Sequence, residues 1–485
     1  MLNINNNASN VKRSILVKIA RAQLSGNLVD YVDKIPQEIV PRGSKPIRCC
    51  IFHDREIVRQ RVIARLGHSL HDYDEEKPLS EYASEAMDRK KPSWPMLTVL
   101  QEACNACVKT HYMVTNACQA CLARPCMMNC GRRAISIQNG RAKIDEELCV
   151  NCGLCMQNCP YHAIIRIPVP CEEACPVGAI QKNEAGKEVI DYEKCIFCGS
   201  CMRECPFGAM MDKSQLVDVI KHIMAGKKVV ALYAPAIASQ FRVNPGQLEG
   251  ALLQCGFTSV KEVAIGADIT ADKEAAEFTE RMERGDKLMT TSCCSAYVRA
   301  VNIHVPLLKP CVSDTKSPMH YTAEIAKKED PDCVTVFIGP CLAKRREGMD
   351  DDLVDYVLSV EEMGAFFMAK EIDVAKAEPV LSDITPTASG RNFAISGGVA
   401  EAVRIRLKNP EILKPTVING LSKDGMKQLS NFGKIQAGEL PYTETTPNLV
   451  EVMACEGGCI YGPSVITNPK VASVMLKKYV EAGEK

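Results

Sequence analysis

The sequence predicts a multidomain protein of mixed α+β and α/β class. We expect a helical N-terminal segment, a cysteine-rich α+β region, and a C-terminal α/β domain with largely parallel sheets. Cysteines at metal-ligand spacing crowd residues 104–205, and strand-like and helix-like stretches alternate after residue 210. Near the N-terminus, REIVRQRVIARLGHSL is patterned as a helix. These observations place the domains at residues 1–100, 101–212 and 213–485.

Length and charge exclude several classes of protein. The chain has 485 residues, more than one hydrophobic core usually organises. Its 59 basic and 59 acidic residues balance, so nothing in the net charge indicates binding to nucleic acid or to an anionic membrane. No run of 18 apolar residues occurs, and the first residues lack the apolar core of a secretory signal. We therefore expect a cytoplasmic protein without a membrane span.

The composition is unusual in its 26 cysteines. A reducing cytosol disfavours disulfides, so many cysteines in a long chain indicate metal binding or catalysis. Buried free thiols explain a few of them. They do not explain sixteen cysteines in regular motifs between residues 104 and 205.

The clearest motif is a tandem pair of cysteine runs. CVNCGLCMQNCP has the spacing C-x2-C-x2-C-x3-C-P, and CQACLARPCMMNC has the same form with a longer third step. This pair is the bacterial ferredoxin signature, in which the last cysteine of each run ligates the cluster of the other run. Zinc suits an isolated C-x2-C pair better than two complete runs. We expect one 4Fe–4S cluster on Cys118, Cys121, Cys126 and Cys159, and a second on Cys149, Cys152, Cys155 and Cys130.

A second ferredoxin-like pair is interrupted. CIFCGSCMRECP is a complete run, whereas PCEEACP supplies only two cysteines and CNAC, far upstream, supplies the missing two. The first unit, residues 115–167, would then be nested inside the second, at a loop tip where insertion is tolerated. The expected ligands are Cys104, Cys107, Cys171 and Cys205 for a third cluster, and Cys195, Cys198, Cys201 and Cys175 for a fourth.

Two alternatives to nesting stay open. In a crossed pairing, Cys126 pairs with Cys205, and Cys130 pairs with Cys195. Otherwise CNAC is structural or binds zinc. In either cluster arrangement, metal–thiolate bonds supply much of the folding free energy of a region with little apolar core. Such an array moves single electrons.

The region after residue 210 predicts an α/β domain. KKVVALYAPAI, DCVTVFIGP and LVEVMAC read as buried strands, and DKEAAEFTERMERG reads as an amphipathic helix. Functional groups gather where the strands of a parallel sheet end. Cysteines stand at these positions in TTSCC, IGPC and MACEGGC, although core thiols such as Cys255 are the alternative for them.

TSCC, PCLAKRRE and EVMACEGGC, in this order behind a ferredoxin-like region, resemble the three signatures of the iron-only (FeFe) hydrogenases. The likeness runs from about residue 115 to 470 and includes APAI, SDTKSP and SGGVAEA. It implies an H-cluster, which is a 4Fe–4S cube joined through a cysteine to a two-iron unit with CO, cyanide and an azadithiolate bridge. It also implies the interconversion of two protons and two electrons with H2, electron exchange with ferredoxin, and maturation proteins that build the two-iron unit.

The resemblance assigns roles by position. Cys293 would be the proton donor beside the bridge amine, and Lys344 would hydrogen-bond a cyanide. Ala234, Pro235 and Met453 would line the two-iron unit. The cube would take four cysteines, the last of them bridging to the two-iron unit: Cys294, Cys341, Cys455 and Cys459.

The resemblance also implies a proton relay of two glutamates, then a serine, then the cysteine. Glu274 and Glu277 stand three residues apart, on one face of the predicted helix. Ser313 stands where the serine belongs, before Cys293 in the relay. Without the resemblance, two glutamates on an amphipathic helix indicate a solvated face.

Several positions depart from the family pattern. Ser295 and Tyr297 replace a usual Pro and Trp, Gly339 replaces Met, Met319 replaces Gln, and GPS replaces the last glycines of the third signature. These changes fit group B of the family better than group A. A redox sensor on the same scaffold is one alternative, and no sensory domain is apparent for it. An iron–sulfur assembly protein without the two-iron unit is another, and it would need neither Cys293 nor Lys344.

Cys49 and Cys50 form a further adjacent pair in the N-terminal segment, close to His53. We expect structural thiols here rather than a metal site. The tail VASVMLKKYVEAGEK reads as a closing amphipathic helix.

Overall fold

The N-terminal segment is helical, as the sequence predicts. The computed structural model describes residues 6–71, 73–107, 111–382 and 384–482. Helix α1 (Asn7–Leu24) begins at Asn6, whose side chain accepts a hydrogen bond from the backbone N–H of Ser9. Helices α2 (Ile51–Arg65) and α3 (Leu79–Asp88) bury their aliphatic faces against it, with short helices at Leu28–Tyr31 and Ile35–Ile39 between.

The cysteine-rich region consists of short antiparallel strand pairs. Its strands are β1 (Leu97–Val99), β2 (Tyr112–Val114), β3 (Ile135–Gln138), β4 (Arg141–Ile144), β5 (Ile164–Arg166), β6 (Ile180–Lys182), β7 (Glu188–Ile190) and β8 (Met210–Asp212). Short helices lie at Pro125–Met128, Leu154–Gln157, Pro170–Glu173 and Ser200–Glu204.

Strand pairing has the nested form. Strand β1 pairs with β8 and encloses the whole region, while β2 pairs with β5 inside it. The β3–β4 hairpin belongs to the inner unit, and the β6–β7 hairpin belongs to the outer one. The inner unit begins at β2, slightly before the predicted residue 115.

The C-terminal domain contains two all-parallel sheets. Strands β9 (Val229–Tyr233), β10 (Ser259–Glu262), β12 (Val334–Gly339) and β13 (Tyr356–Ser359) form one sheet in the order β10–β9–β12–β13. Strands β11 (Met289–Thr290), β14 (Pro415–Asn419) and β15 (Leu449–Met453) form the other in the order β11–β15–β14. The three segments predicted as buried strands, KKVVALYAPAI, DCVTVFIGP and LVEVMAC, contain β9, β12 and β15 respectively.

Helices cover both sheets. They are α4 (Leu216–Met224), α5 (Gln247–Cys255), α6 (Ala264–Arg284), α7 (Ser295–His304), α8 (Pro318–Glu329), α9 (Ala343–Asp350), α10 (Val360–Ala369), α11 (Gly398–Arg406), α12 (Lys423–Ala437) and α13 (Pro469–Ala482), with short helices at Ala238–Phe241 and Ala388–Arg391. Every residue of β9 and β15 is buried, as a sheet covered on both faces requires. In the described ranges, no helix combines the length and apolar character needed to cross a bilayer.

Candidate metal centre

Four cysteines of the C-terminal domain converge where strands of both sheets end. Cys294 caps the N-terminus of α7, Cys341 follows β12, and Cys455 and Cys459 follow β15. The backbone N–H of Ala454 donates to Cys294 Sγ over 3.4 Å. Burial raises the pKa of the Cys455 thiol, and three neighbouring thiols raise it further: Cys341, Cys294 and Cys459.

The donor chemistry suits an iron–sulfur cube. Thiolates are the soft ligands that such clusters take. Within the described ranges, no three His, Cys, Asp or Glu side chains are placed to hold a single metal ion. A cube distributes its four thiolates over four iron atoms, so its ligands stand further apart than those of one ion. The set therefore fits a cluster.

The loop between the last two cysteines is held by a glycine. Gly458 has φ of 93°, and a Cβ there would stand 2.7 Å from the carbonyl oxygen of Ala394. A larger residue would have to move this loop, because both the backbone angle and the space require glycine. This explains the second glycine of EGGC.

A cavity of about 700 Å³ adjoins these cysteines. Its wall is largely apolar and includes Ala234, Pro235 and Met453, all three named from the sequence. Cys459 lines the cavity together with Cys294 and Cys341, whereas Cys455 does not. The cavity thus lies on the side of the four cysteines that is away from Cys455.

Besides the three expected ligands, Cys293, Ser295 and Lys344 line the same cavity. Cys293 packs against a buried cluster that includes Met453, and burial raises the pKa of its thiol, with the Glu274 carboxylate adding to the effect. Lys344 Nζ donates to Glu347 Oε2 over 2.7 Å. The cavity therefore combines an apolar wall with a fourth thiol, a hydroxyl and an ammonium group.

Glu274 is buried behind Cys293. Its Oε1 accepts from the backbone N–H of Ser292 at 3.1 Å and lies 3.4 Å from the Ser292 hydroxyl. Its Oε2 is buried without a hydrogen-bond partner among the described residues. Burial raises the pKa of Glu274 to about 8, so the carboxyl holds its proton at neutral pH.

Glu277 lies one helical turn away, towards the surface. Its Oε2 accepts from Ser313 Oγ at 2.5 Å and from Thr315 Oγ1 at 3.0 Å, and its Oε1 lies 2.9 Å from Arg281 Nε. Burial opposes ionisation, but the Ser313 hydrogen bond and the Arg281 charge hold the pKa of Glu277 below its usual value. The pKa values of the two predicted relay carboxyls are therefore shifted in opposite directions: that of Glu274 is raised and that of Glu277 is lowered.

The sequence led us to expect a relay of two glutamates, then Ser313, then Cys293. In the structure, Ser313 bonds to Glu277, and Glu274 lies close to Cys293. The proton relay itself stays a prediction.

Sequence reasoning missed three polar residues here. Glu347 accepts from Lys344, Ser295 and Ser317. Its position three residues after Lys344 on a helix was a usable signal. The sequence signals for the other two residues, Ser292 and Glu451, were weaker. Glu451 is a charge inside a buried strand, and it accepts from the backbone N–H groups of Gly397 and Ala400 at 2.7 and 2.8 Å.

The sixteen cysteines of the ferredoxin-like region also form groups. A cavity of about 400 Å³ is lined by Cys118, Cys121, Cys126 and Cys159. Cys155 lies near Cys149 and Cys152, on a helix that packs against the helix preceding Cys130. These are the two sets expected for the inner unit.

The outer unit forms two more groups. Burial raises the pKa of Cys171 to about 12, with Cys205 and Cys107 among the neighbours that add to it. Cys104 and Cys205 likewise lie near Cys107. Around Cys201 stand Cys198, Cys195 and Cys175. The structure thus brings together the nested sets, not the crossed ones.

One backbone feature recurs in the first C-x2-C step of each of the four cysteine runs. The residue before the second cysteine has positive φ each time: Ala106, Ala120, Asn151 and Phe197, at 46°, 45°, 55° and 55°. Non-glycine residues adopt this conformation only where the surroundings require it, and ligand clamps are such places. The loops are therefore already in the conformation that wraps a cluster.

Cys49 and Cys50 differ in exposure from the core thiols. Cys49 is exposed and Cys50 half-buried, whereas Cys255, Cys311 and Cys333 are buried. The expectation of structural thiols at this pair stays a prediction.

Comparison with known proteins agrees with this geometry. Residues 227–463 match the family described as "Iron only hydrogenase large subunit, C-terminal domain", and residues 142–165 and 188–211 match "4Fe-4S binding domain". The chain is 30% identical over 391 residues to the periplasmic [Fe] hydrogenase large subunit of Nitratidesulfovibrio vulgaris, covering 69% of this chain and 88% of that protein. It is 27% identical to iron hydrogenase 1 of Clostridium pasteurianum, covering 56% of each.

More distant similarities extend to another class of protein and to solved structures. The chain is 22% identical over 311 residues to the cytosolic Fe-S cluster assembly factor NAR1 of Eremothecium gossypii, covering 50% of this chain and 68% of that one. A variant of [FeFe]-hydrogenase HydA1 from Chlamydomonas reinhardtii aligns with a TM-score of 0.43 at 24% identity, over 52% of this chain and 84% of that one.

Proposed function

The chain belongs to the iron-only hydrogenase family, and from this premise we propose that it interconverts two protons and two electrons with H2. The observation that carries the proposal is the cavity in which Cys293 and Lys344 stand beside the four converging cysteines. An iron–sulfur protein that lacked a second metal unit would have no use for an acid and a cation in an apolar pocket, because buried polar groups without a task lower stability.

We assign the cube of the H-cluster to Cys294, Cys341, Cys455 and Cys459, with Cys459 as the bridge. Cys459 lines the cavity, as a bridge to a unit in it must, and the resemblance to the family singles it out from Cys294 and Cys341. When bound, the cluster supplies the electrons and the iron site for making or breaking the H–H bond. Lys344 would hold an anionic ligand of the two-iron unit through its ammonium group.

The protein's own chemistry is proton transfer and exclusion of water. Cys293 holds a proton in the cavity because burial keeps its thiol neutral. Glu274 is the next proton holder, with Oε2 free to exchange with Cys293. Glu277 receives protons from solvent and passes them inward through the Ser313 hydroxyl. Ala234, Pro235 and Met453 keep bulk water away from the reacting atoms.

Electrons would travel along four 4Fe–4S clusters held by the nested cysteine sets. The fourth set is adjacent to the cube, since Cys198 is among the thiols near Cys455. A Cβ on Gly199 would touch the Pro463 ring at 2.6 Å, so glycine is required for this close approach. The inner ferredoxin-like unit would then hold the clusters furthest from the cube, and a ferredoxin would deliver electrons to them.

Infrared spectroscopy on the protein after treatment with the hydrogenase maturation proteins tests the proposal. We expect bands of metal-bound CO and cyanide, H2 production from a reduced ferredoxin, and about 22 iron atoms per chain, the sum for four cubes and the H-cluster. No such bands after maturation, in a sample with all cubes in place, would contradict the enzyme. A clearly lower iron content in an active sample would contradict the four-cluster assignment alone.

The second candidate is an iron–sulfur assembly function, favoured by the similarity to NAR1. Under this candidate, maturation adds no two-iron unit and Lys344→Gln changes nothing measurable. A redox-sensing role predicts bound two-iron unit with weak turnover. Membership of group B and a cytoplasmic location stay predictions.

A further inference from the structure

Cys49 and Cys50 form an adjacent cysteine pair that the proposed reaction does not use. They lie at the surface of the N-terminal helical segment, and His53 and Glu102 join them there. The hydrogenase reaction proposed above gives this group of side chains no role.

The four side chains are connected in series. Cys49 Sγ lies 3.3 Å from His53 Nδ1 and 4.0 Å from Cys50 Sγ. On the opposite side of the imidazole, His53 Nε2 lies 3.3 Å from Glu102 Oε2. A carboxylate at one ring nitrogen and a thiol at the other is the arrangement in which histidine accepts a thiol proton. Cys49 thus has a general base beside it.

Cys50 has a different kind of activation. It caps the N-terminus of α2, a helix of 15 residues. The backbone N–H groups of His53 and Phe52, in the first turn of this helix, lower the pKa of Cys50. The neighbouring residues Ile47 and Phe52 are 74% and 72% exposed, so the pair lies at the surface. Cys50 is therefore the thiol favoured as the attacking thiolate, and Cys49 is the thiol with a base.

The loop that carries the pair is fixed. Asp54 accepts from the backbone N–H groups of Ile47 and Arg48 at 2.7 and 3.1 Å. The Arg48 guanidinium in turn donates to Asn105 Oδ1 at 2.7 Å and to the Ala103 carbonyl at 2.8 Å. These contacts attach the loop to the segment around Cys104, so the pair is held beside the ligand set of the third proposed cluster.

We propose that Cys49, Cys50, His53 and Glu102 form a thiol–disulfide exchange site whose substrate is a solvent-exposed disulfide. The Cys50 thiolate attacks one sulfur of R–S–S–R′, the S–S bond breaks, and R′–S⁻ takes up the proton that Cys49 has given to His53. The Cys49 thiolate then attacks the Cys50 sulfur, which forms the Cys49–Cys50 disulfide and releases R–S⁻ to be protonated by solvent. Two electrons pass from the protein thiols to the substrate, which becomes two thiols.

The test uses the full-length holoprotein under anaerobic conditions with oxidised glutathione as the probe. Samples are quenched with acid, alkylated and analysed by peptide mass. The matched control is a peptide of sequence RCCIF, residues 48–52, which carries both thiols without the helix, His53 or Glu102. We expect the protein to form the Cys49–Cys50 disulfide about tenfold faster than the peptide, while Cys255, Cys311 and Cys333 stay reduced.

Variants separate the two steps. Cys49→Ser should stop the reaction at a mixed disulfide on Cys50, and His53→Phe should slow the second step about tenfold. Equal rates in protein and peptide would overturn the proposal, and so would a mixed disulfide that persists in the wild-type protein. The comparison of the wild-type protein with the peptide needs no substitution. It therefore tests the proposed exchange site even if a variant does not fold. Iron content and H2 turnover test the hydrogenase independently.

Discussion

The chain has two pairs of adjacent cysteines, Cys49–Cys50 and Cys293–Cys294. They share a local backbone structure but differ in exposure and in the charges and hydrogen-bond donors around them. Cys50 and Cys294 each cap a helix from extended backbone. Cys293, however, lines a largely apolar cavity, whereas Cys49 is exposed. Burial raises the pKa of Cys293, while helix N–H groups lower the pKa of Cys50. The surroundings of the two pairs therefore shift the pKa values of their thiols in opposite directions.

The largest expected effect comes from Cys293→Ala, set against Cys49→Ala. Removing the proton holder in the cavity should lower H2 production at least a hundredfold, because a positioned acid contributes on the order of 10²–10⁴. Cys49→Ala should leave turnover within about twofold. The measurement is H2 release from matured protein with equal infrared intensity for each variant. Similar losses in both variants would remove the functional distinction between the pairs.

Lys344→Gln should lower the yield of the bound two-iron unit about tenfold or more. The buried ammonium group is replaced by a neutral donor, which binds an anion more weakly. The ratio of cyanide bands to cube absorbance measures the effect. As a matched control, Lys287→Gln lies outside the cavity and should mature normally. Full maturation of Lys344→Gln would show that cysteine ligation alone retains the unit.

Glu274→Gln should change the pH dependence of stability. Glu274 has a folded pKa of about 8, raised from 4.5, so the folded state holds a proton that the unfolded state releases across this interval. The free energy of unfolding therefore falls as pH rises from about 4.5 to 8. This pH dependence is absent in the variant, which has no carboxyl at this position. Over this interval the wild-type protein should lose on the order of a few kcal/mol more unfolding free energy than Glu274→Gln. Its melting temperature should therefore fall more steeply with pH than that of the variant. Parallel curves would contradict the buried protonated carboxyl.

Ser295→Pro should have the smallest effect, within a few-fold in turnover. Ser295 is the first residue of α7, where proline is tolerated, and its hydroxyl bonds to Glu347. Losing this bond leaves Glu347 with Lys344 and Ser317 as partners. H2 release and cyanide band positions together measure the change. A large loss would show that the departure from the family pattern at this position is a requirement of this chain.

The fold could be predicted well from the sequence because its signals are local. The cysteine spacing indicated the ferredoxin-like runs and favoured nesting over crossing, and β9, β12 and β15 are largely buried apolar runs that the sequence shows directly. The resemblance to the family implied that Ala234, Pro235 and Met453 line the site, and all three line the cavity.

What the sequence could not predict depends on contacts between distant segments. Ser313 lies 36 residues from Glu277, and its bond to that residue, rather than to Cys293, is set by how the loop after α7 meets α6. The exposure of Cys49 depends on the Asp54 and Arg48 contacts. Hydrogen-bond partners of this kind leave no periodic trace in the chain.

The nested arrangement of the ferredoxin-like units has a consequence for biosynthesis. All ligands of the inner unit leave the ribosome between Cys118 and Cys159, whereas the outer unit must wait for Cys205, and the cube for Cys459. Chains fold from the N-terminus as they are made, and closing the shorter loop costs less entropy. Iron–sulfur clusters would therefore be acquired in the order inner unit, outer unit, cube, which runs from the outer end of the electron path towards the catalytic cavity.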